Sequence, residues 1–173
     1  MQTLFDILGL QPAFSLDMKT LETAYFNAQR ICHPDRFVGK PEAERIAAIS
    51  RSQLVNDAYE TLKNPLRRAE HLLEMQGIVA LDDAMKAPPQ LLMEMMELRE
   101  SLEEAGNNGV HLAAALDDIK MRANITMKAL EVQFSVADYA AAANETLRLH
   151  YLGKAAEEAH MLIYRLKSAH AHV

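Results

Sequence analysis

Apolar positions recur every three or four residues along most of the chain, in segments separated by Gly, Pro and Asn, and that period marks amphipathic helices. The first segment is short: Thr3 to Leu8 forms an apolar turn of helix, which Gly9 closes and Gln11-Pro12 separates from the next segment. Asp17 then stands where an N-cap is needed, with Leu16 and Leu21 spaced as the apolar pair that brackets a helix start. From Met18 to about Cys32, the stripe Leu21, Ala24, Tyr25, Ala28, Ile31 and Cys32 predicts a face turned to a core. At about 100° per residue, the far face gathers Lys19, Phe26 and Arg30.

His33-Pro34-Asp35 interrupts the pattern. Proline disfavours helical geometry in the residue before it, so the helix ends near Cys32 and the tripeptide heads an exposed loop that also carries Arg36 and Lys40. Pro41, expected at the first helical position, opens the next helix with Glu42 and Glu44 at its positive end. That helix runs to about Lys63 on a predicted core of Ala47, Leu54, Ala58, Tyr59 and Leu62. Asn64-Pro65 stops it and caps a further helix, Leu66 to Gln76, which Gly77 ends. Two long helices joined by a loop predict an antiparallel hairpin.

Between residues 77 and 89 the period lapses, and Pro88-Pro89 reads as a boundary. Helices are then predicted over about 90–105, 110–133 and 136–169, with Gly106-Asn107-Asn108-Gly109 as a turn and Ser135 as the cap of the last. Their inward stripes are Leu91, Met95, Leu98 and Leu102; then Leu112, Leu116, Ile119, Ala123, Met127 and Leu130; then Leu152, Ala156, Ala159, Ile163 and Leu166. Short links between long helices predict an antiparallel three-helix bundle. The organisation is therefore 1–76, a linker 77–89, and 90–173. No internal repeat or low-complexity tract is found.

Composition narrows the possible functions. A net charge of -6 argues against a general nucleic-acid binder, which needs a basic surface against phosphates. Nine basic and ten acidic residues precede Gly77, whereas nine and fourteen lie from it onward, so the second part is the acidic one. A single cysteine, Cys32, excludes an internal disulfide and a multi-cysteine metal site, which fits the cytoplasm. No apolar run approaches the roughly 18 residues of a membrane span, and no secretory signal is visible, so no membrane association is expected.

The N-terminal residues resemble the J-domain, the module through which co-chaperones engage Hsp70 ATPases. The likeness rests on Leu8-Gly9-Leu10, on His33-Pro34-Asp35 between two long helices, and on Asn56, Ala58, Tyr59 and Leu62 followed by Pro65, Arg68 and Ala69. Arg67-Arg68-Ala69-Glu70-His71-Leu72-Leu73 leads on toward an acidic helical bundle, without a Gly/Phe-rich linker or Cys-x-x-Cys modules. With Leu92-Met93-Glu94 and Glu97-Leu98-Arg99-Glu100, this resembles the HscB-type co-chaperones of bacterial iron-sulfur cluster assembly. The resemblance implies an all-α protein, with a J-domain hairpin followed by the three-helix bundle in an L-shaped outline. It further implies that the chain is no enzyme and carries neither cofactor nor metal. Its work would be to bind the scaffold protein IscU, deliver it to the Hsp70 HscA and stimulate ATP hydrolysis by HscA.

Each candidate residue has a plainer reading beside the functional one. His33 and Asp35 have the chemistry of an acid/base pair, but Pro34 between them and the lack of a nearby nucleophile favour a rigid contact point for the Hsp70. Lys19, Arg30, Arg36 and Lys40 either form a positive patch that steers an acidic partner or are ordinary solvated charges. Glu22 and Phe26 occupy the outward face, where J-domains usually carry more basic residues; Phe26 is either an apolar anchor in the Hsp70 contact or packs under the loop. On the helix after Pro89, Leu92, Met93 and Met96 lie off the core stripe among Glu97, Glu100, Glu103 and Glu104. They form either an adaptable apolar contact with a charged rim or a face buried by a neighbour. The resemblance assigns scaffold binding to Leu92, Met93, Met96, Glu97, Glu100 and Glu104, and adds Tyr151; Met96 stands where Leu is commoner. Cys32 is either a reactive thiol or a buried small hydrophobe, and His160, His170 and His172 either collect metal or belong to a frayed end. The competing function is a J-domain co-chaperone that delivers another client to a general Hsp70. A metal enzyme built on His33-Asp35 or the histidines comes third.

Overall fold

The computed structural model describes residues 2–79 and 87–170, and among them every regular element is helical. The chain divides into two compact units, Met1–Gln76 and Gly77–Val173.

In the first unit, α1 (Leu4–Leu8), α2 (Met18–Cys32), a 3₁₀ turn (Pro34–Phe37), α3 (Glu42–Lys63) and α4 (Pro65–Glu74) follow in order. Each α-helix start but that of α3 is fixed by a short polar side chain. Thr3 and Asp6 satisfy each other's backbone N–H groups at 3.1 and 2.8 Å, Asp17 accepts from the Thr20 N–H at 2.8 Å, and Asn64 accepts from the Arg67 N–H at 3.2 Å. α2 and α3 are antiparallel, as predicted. The Tyr25 hydroxyl donates to Asn56 at 3.1 Å, while one turn further along α2 the Gln29 amide donates to the Ser52 carbonyl, one turn back along α3. Tyr25 also stacks on Tyr59, with ring centroids 4.4 Å apart. Phe5, Phe14, Leu21, Val55, Leu62 and Leu73 fill the core. The buried Arg68 donates to the Leu62 carbonyl at 2.7 Å, satisfying an acceptor that the end of α3 leaves open.

The core stripes differ from prediction in two places. Ile31 is exposed although its spacing placed it in the α2 stripe, because it lies about 80° round the helix from Leu21 and falls at the edge of the covered sector. On α3 the buried residues are Ala48, Val55, Ala58 and Leu62, and both Ala47 and Leu54 face solvent. Both candidate sets fit within a wide apolar sector around Ala58, and the neighbouring helices cover the flank that carries Ala48 and Val55. Pro41 serves as the N-cap of α3 and not as its first helical residue.

The second unit comprises α5 (Pro89–Ala105), α6 (Gly109–Ser135) and α7 (Tyr139–His170). The links 106–108 and 136–138 can extend about 10 Å, against about 40 Å for α6, so successive helices must run antiparallel. Leu98, Leu102, Leu112, Leu116, Ile119 and Leu152 form the centre of the bundle, with Met95, Ala123 and Ile163 packed around them. Ser135 does not cap α7: it is the last residue of α6, and its hydroxyl donates to the Val132 carbonyl. The cap is Asp138, which accepts from the Ala141 N–H at 3.0 Å. Among the described residues, no helix is long and apolar enough to cross a membrane.

Candidate functional site

The His33-Pro34-Asp35 turn is shaped by its own backbone. Its first residue closes α2 and opens the 3₁₀ turn, with ψ at 128°, the extended value that a following proline enforces. His33 Nδ1 accepts from the Asp35 N–H at 3.3 Å and lies 3.6 Å from the Asp35 carboxylate. The Arg36 N–H donates to the His33 carbonyl at 3.0 Å, and its guanidinium donates to the Arg30 carbonyl at 2.7 Å. Arg36 therefore ties the turn to the last turn of α2. Both polar side chains of the tripeptide remain open to solvent, His33 at 53% and Asp35 at 86%. Such a turn presents a fixed set of donors and acceptors and encloses nothing, which suits recognition better than proton transfer.

The predicted cationic set is only partly assembled. Arg30 and Arg36 meet through the guanidinium–carbonyl hydrogen bond, whereas Lys19 lies eleven residues before Arg30, about 16 Å along α2, and Lys40 is exposed beyond the 3₁₀ turn. Phe26 does not pack under the loop. It is 66% exposed, one turn before Arg30, and its ring stands 5.3 Å from that of Tyr25. Sequence reasoning missed Ile31, whose exposed side chain lines an open groove between α1 and α2 together with Leu8, Leu10, Lys19 and Ala24. The available signal was its position at the margin of the stripe. Cys32 is a buried free thiol that donates to the Ala28 carbonyl at 3.3 Å.

The second candidate surface lies on α5. Leu91, Leu98, Leu102 and Ala105 face the core, so the helix period turns Leu92, Met93 and Met96 outward, and they are 48, 63 and 63% exposed. Neighbouring helices do not cover this face. Glu97, Glu100 and Glu104 continue it over the next two turns and are exposed, as is Glu103, which pairs with Arg99 at 3.1 Å. An apolar half thus passes into an acidic half along one helix face.

Tyr151 sits half-buried on α7, three residues after Arg148. The Arg148 guanidinium grips Glu94 with two nitrogens, at 3.1 and 3.4 Å, and also donates to Glu145 at 2.6 Å. Burial works against this guanidinium's charge, but the two carboxylates outweigh it and hold its pKa above the ordinary arginine value. The fork fixes the N-terminal half of α5 beside the stretch of α7 that carries Tyr151. Next to it, His150 is held below the ordinary histidine value, first by burial and then by Lys154. Among the described residues no group of three His, Cys, Asp or Glu is placed to hold a metal ion. The side chain of His170 and the whole of His172 lie outside that description.

Comparison with known proteins adds to this geometry. Residues 3–71 match the DnaJ domain model, and residues 87–160 match a model described as the HSCB C-terminal oligomerisation domain. A co-chaperone protein HscB homolog from Vibrio vulnificus is 33% identical over 166 residues, covering 94% of this chain and 97% of the relative. The co-chaperone protein HscB of Proteus mirabilis is 36% identical over 170 residues, covering 94% and 96%. Among solved structures, chaperone HscB from Vibrio cholerae superposes with a TM-score of 0.83 at 34% identity, over 95% of this chain and 99% of that one. Human co-chaperone protein HscB gives 0.84 at 27% identity, over 93% and 82%. With its J-domain followed by the HscB helical domain, the chain belongs to the HscB family of J-domain co-chaperones in iron-sulfur cluster assembly, regulators of an Hsp70 and not enzymes.

Proposed function

We propose that this co-chaperone binds the scaffold protein IscU, presents it to the Hsp70 HscA and stimulates ATP hydrolysis by HscA in the cytoplasm. Residues 1–76 would engage HscA, residues 90–173 the scaffold, and 77–89 would link them. The observation that carries the reading is the α5 face, where exposed Leu92, Met93 and Met96 are followed by Glu97, Glu100 and Glu104. Large apolar groups cost solubility on a free surface, and methionine side chains adapt to a partner's shape, so a contact with an acidic rim accounts for this composition. Tyr151 would extend the contact from α7.

On the Hsp70 side, His33, Pro34 and Asp35 would be the polar contact point, Arg30 and Arg36 the cations beside it, Lys19 and Lys40 further charges on the same surface, and Phe26 an apolar anchor. The hydrolytic site belongs to HscA, so the chain acts by favouring one conformation of its partner. Steady-state ATPase of HscA, measured with this protein and with IscU singly and together, tests the reading. Stimulation by the chain, enhanced by IscU and lost with His33→Gln, is expected. No stimulation by the wild-type chain overturns it, and stimulation with no response to IscU redirects the bundle to another client.

A further inference from the structure

The side of α6 turned away from the core carries a second apolar stripe. Leu112, Leu116, Ile119 and Leu130 fill the bundle, yet Val110, Met121, Ile125 and Val132 lie on the solvent side and are all more than half exposed. At about 100° per residue these four fall within a sector of about 60°. The exposed Ala114 lies in the same sector, and Lys128 on its edge. A helix that needed only one buried face would carry charge here. We infer that this stripe is a docking surface for a second copy of the chain, α6 against α6 in antiparallel orientation about a two-fold axis.

Two features favour a second copy over an unrelated partner. The first is the order of residues. Reversing α6 about a point near residue 123 sets Met121 opposite Ile125, Ala114 opposite Val132, and Val110 opposite Val136, which is also exposed. Apolar residues thus meet apolar residues at the centre and toward both ends of the helix, with an alanine facing a valine where the backbones can approach. The second is charge. Asp117 and Lys128 lie on the same flank, and antiparallel pairing brings each flank against its own counterpart. Lys128 of one copy then faces Asp117 of the other. Within one chain Asp117 has the exposed Lys120 at 3.6 Å, and Lys128 has no carboxylate within 4 Å among the described residues.

A parallel pairing would bring opposite flanks together and leave Lys128 of each copy away from the Asp117 of the other. The description of the matching C-terminal family model mentions oligomerisation but specifies no surface, copy number or orientation. A helix face of about 40 Å by 10–12 Å buries roughly 800–1,000 Å² in total, at the low end of specific interfaces, so the dimer should be weak and concentration-dependent.

Sedimentation equilibrium of the full chain, with far-UV circular dichroism as a control for folding, provides the test. The wild-type mass should rise toward twice the monomer value below about 1 mM chain. Met121→Glu with Ile125→Glu, both at exposed positions, should raise the dissociation constant at least about tenfold, or about 1.4 kcal/mol, with helicity unchanged. Lys128→Asp should weaken association, and adding Asp117→Lys should restore it. A wild-type chain that stays monomeric up to that concentration overturns the proposal. So does association that survives the α6 pair of substitutions, or that is lost instead with Leu92→Ser and Met96→Ser on α5. Failure of Asp117→Lys to rescue Lys128→Asp overturns the antiparallel orientation.

Discussion

The His33-Pro34-Asp35 turn and the outward face of α5 both expose side chains for contact but hold them by different means. In the turn, shape comes from the backbone: a proline-enforced ψ, the Asp35 N–H on His33 Nδ1, and the Arg36 guanidinium on the Arg30 carbonyl. In α5 the backbone is an ordinary helix, and the surface is composed by side chains, two of them methionines with several rotatable bonds. A surface fixed by backbone geometry resists gradual change, because altering one member alters the arrangement of the others. A surface built from independent side chains on a rigid helix loses affinity by increments. The turn should therefore respond to mutation in an all-or-none manner, and α5 in proportion to the apolar area removed.

The sharpest way to break this contrast is on α5. Leu92→Ala with Met96→Ala should weaken scaffold binding by at least about 2 kcal/mol, roughly thirtyfold, with each single substitution intermediate. Stimulation of HscA without scaffold should be unaffected, since the J-domain is untouched. Isothermal titration with IscU, alongside an ATPase assay without it, measures both. Wild-type scaffold affinity in the double variant refutes the assignment of this face, and a single substitution as severe as the double removes the graded behaviour.

Phe26 sharpens the comparison from the other side, because it is the apolar part of the proposed Hsp70 surface and is built in the manner of α5. It stands exposed on a helix, with the Tyr25 ring beside its own. Phe26→Ala should lower the affinity for HscA about fivefold, near 1 kcal/mol, while maximal stimulation at saturating protein is retained. Titrating HscA and following its ATPase separates the two quantities. Affinity and stimulation both equal to wild type eliminate Phe26 as a contact, and loss of maximal stimulation shows that it belongs with the turn.

How far these surfaces could be read from sequence obeys the same division. The α2 limits, the caps Asp17 and Asn64, and the proline-broken turn were legible because each depends on a few adjacent residues. The outward position of Leu92, Met93 and Met96 was legible because Leu91, Leu98 and Leu102 fix the phase of α5 without ambiguity. The α3 stripe was not, since Ala47 with Leu54 and Ala48 with Val55 fit the period almost equally, and the choice lies with the helices packed against it. Ser135 and Asp138 both have capping chemistry three residues apart and no glycine marks the end of α6, so the sequence alone does not distinguish the cap, which the structure places at Asp138.

That missing glycine supplies the smallest of the expected effects. At the end of α6, the Asp138 N–H donates to the Gln133 carbonyl at 2.9 Å and the Ala137 N–H to the Phe134 carbonyl at 3.3 Å. This is the paired pattern in which the first residue beyond the cap adopts left-handed geometry and is usually glycine. Here it is Ala137, at φ 56°, where the β-carbon crowds the following carbonyl at a cost of about 1–2 kcal/mol. Ala137→Gly relieves that strain and gives back about 0.4–1 kcal/mol through the freer unfolded chain. The net gain should be about 0.5–1 kcal/mol, a rise of a few degrees in the thermal midpoint of the bundle. Neither the α5 face nor the J-domain turn involves this residue, so scaffold affinity and HscA stimulation should stay at wild-type values while the midpoint rises. A lowered midpoint means that the Ala137 methyl contributes packing worth more than its strain. A changed scaffold affinity means that α5 is not the rigid platform on which its graded response depends.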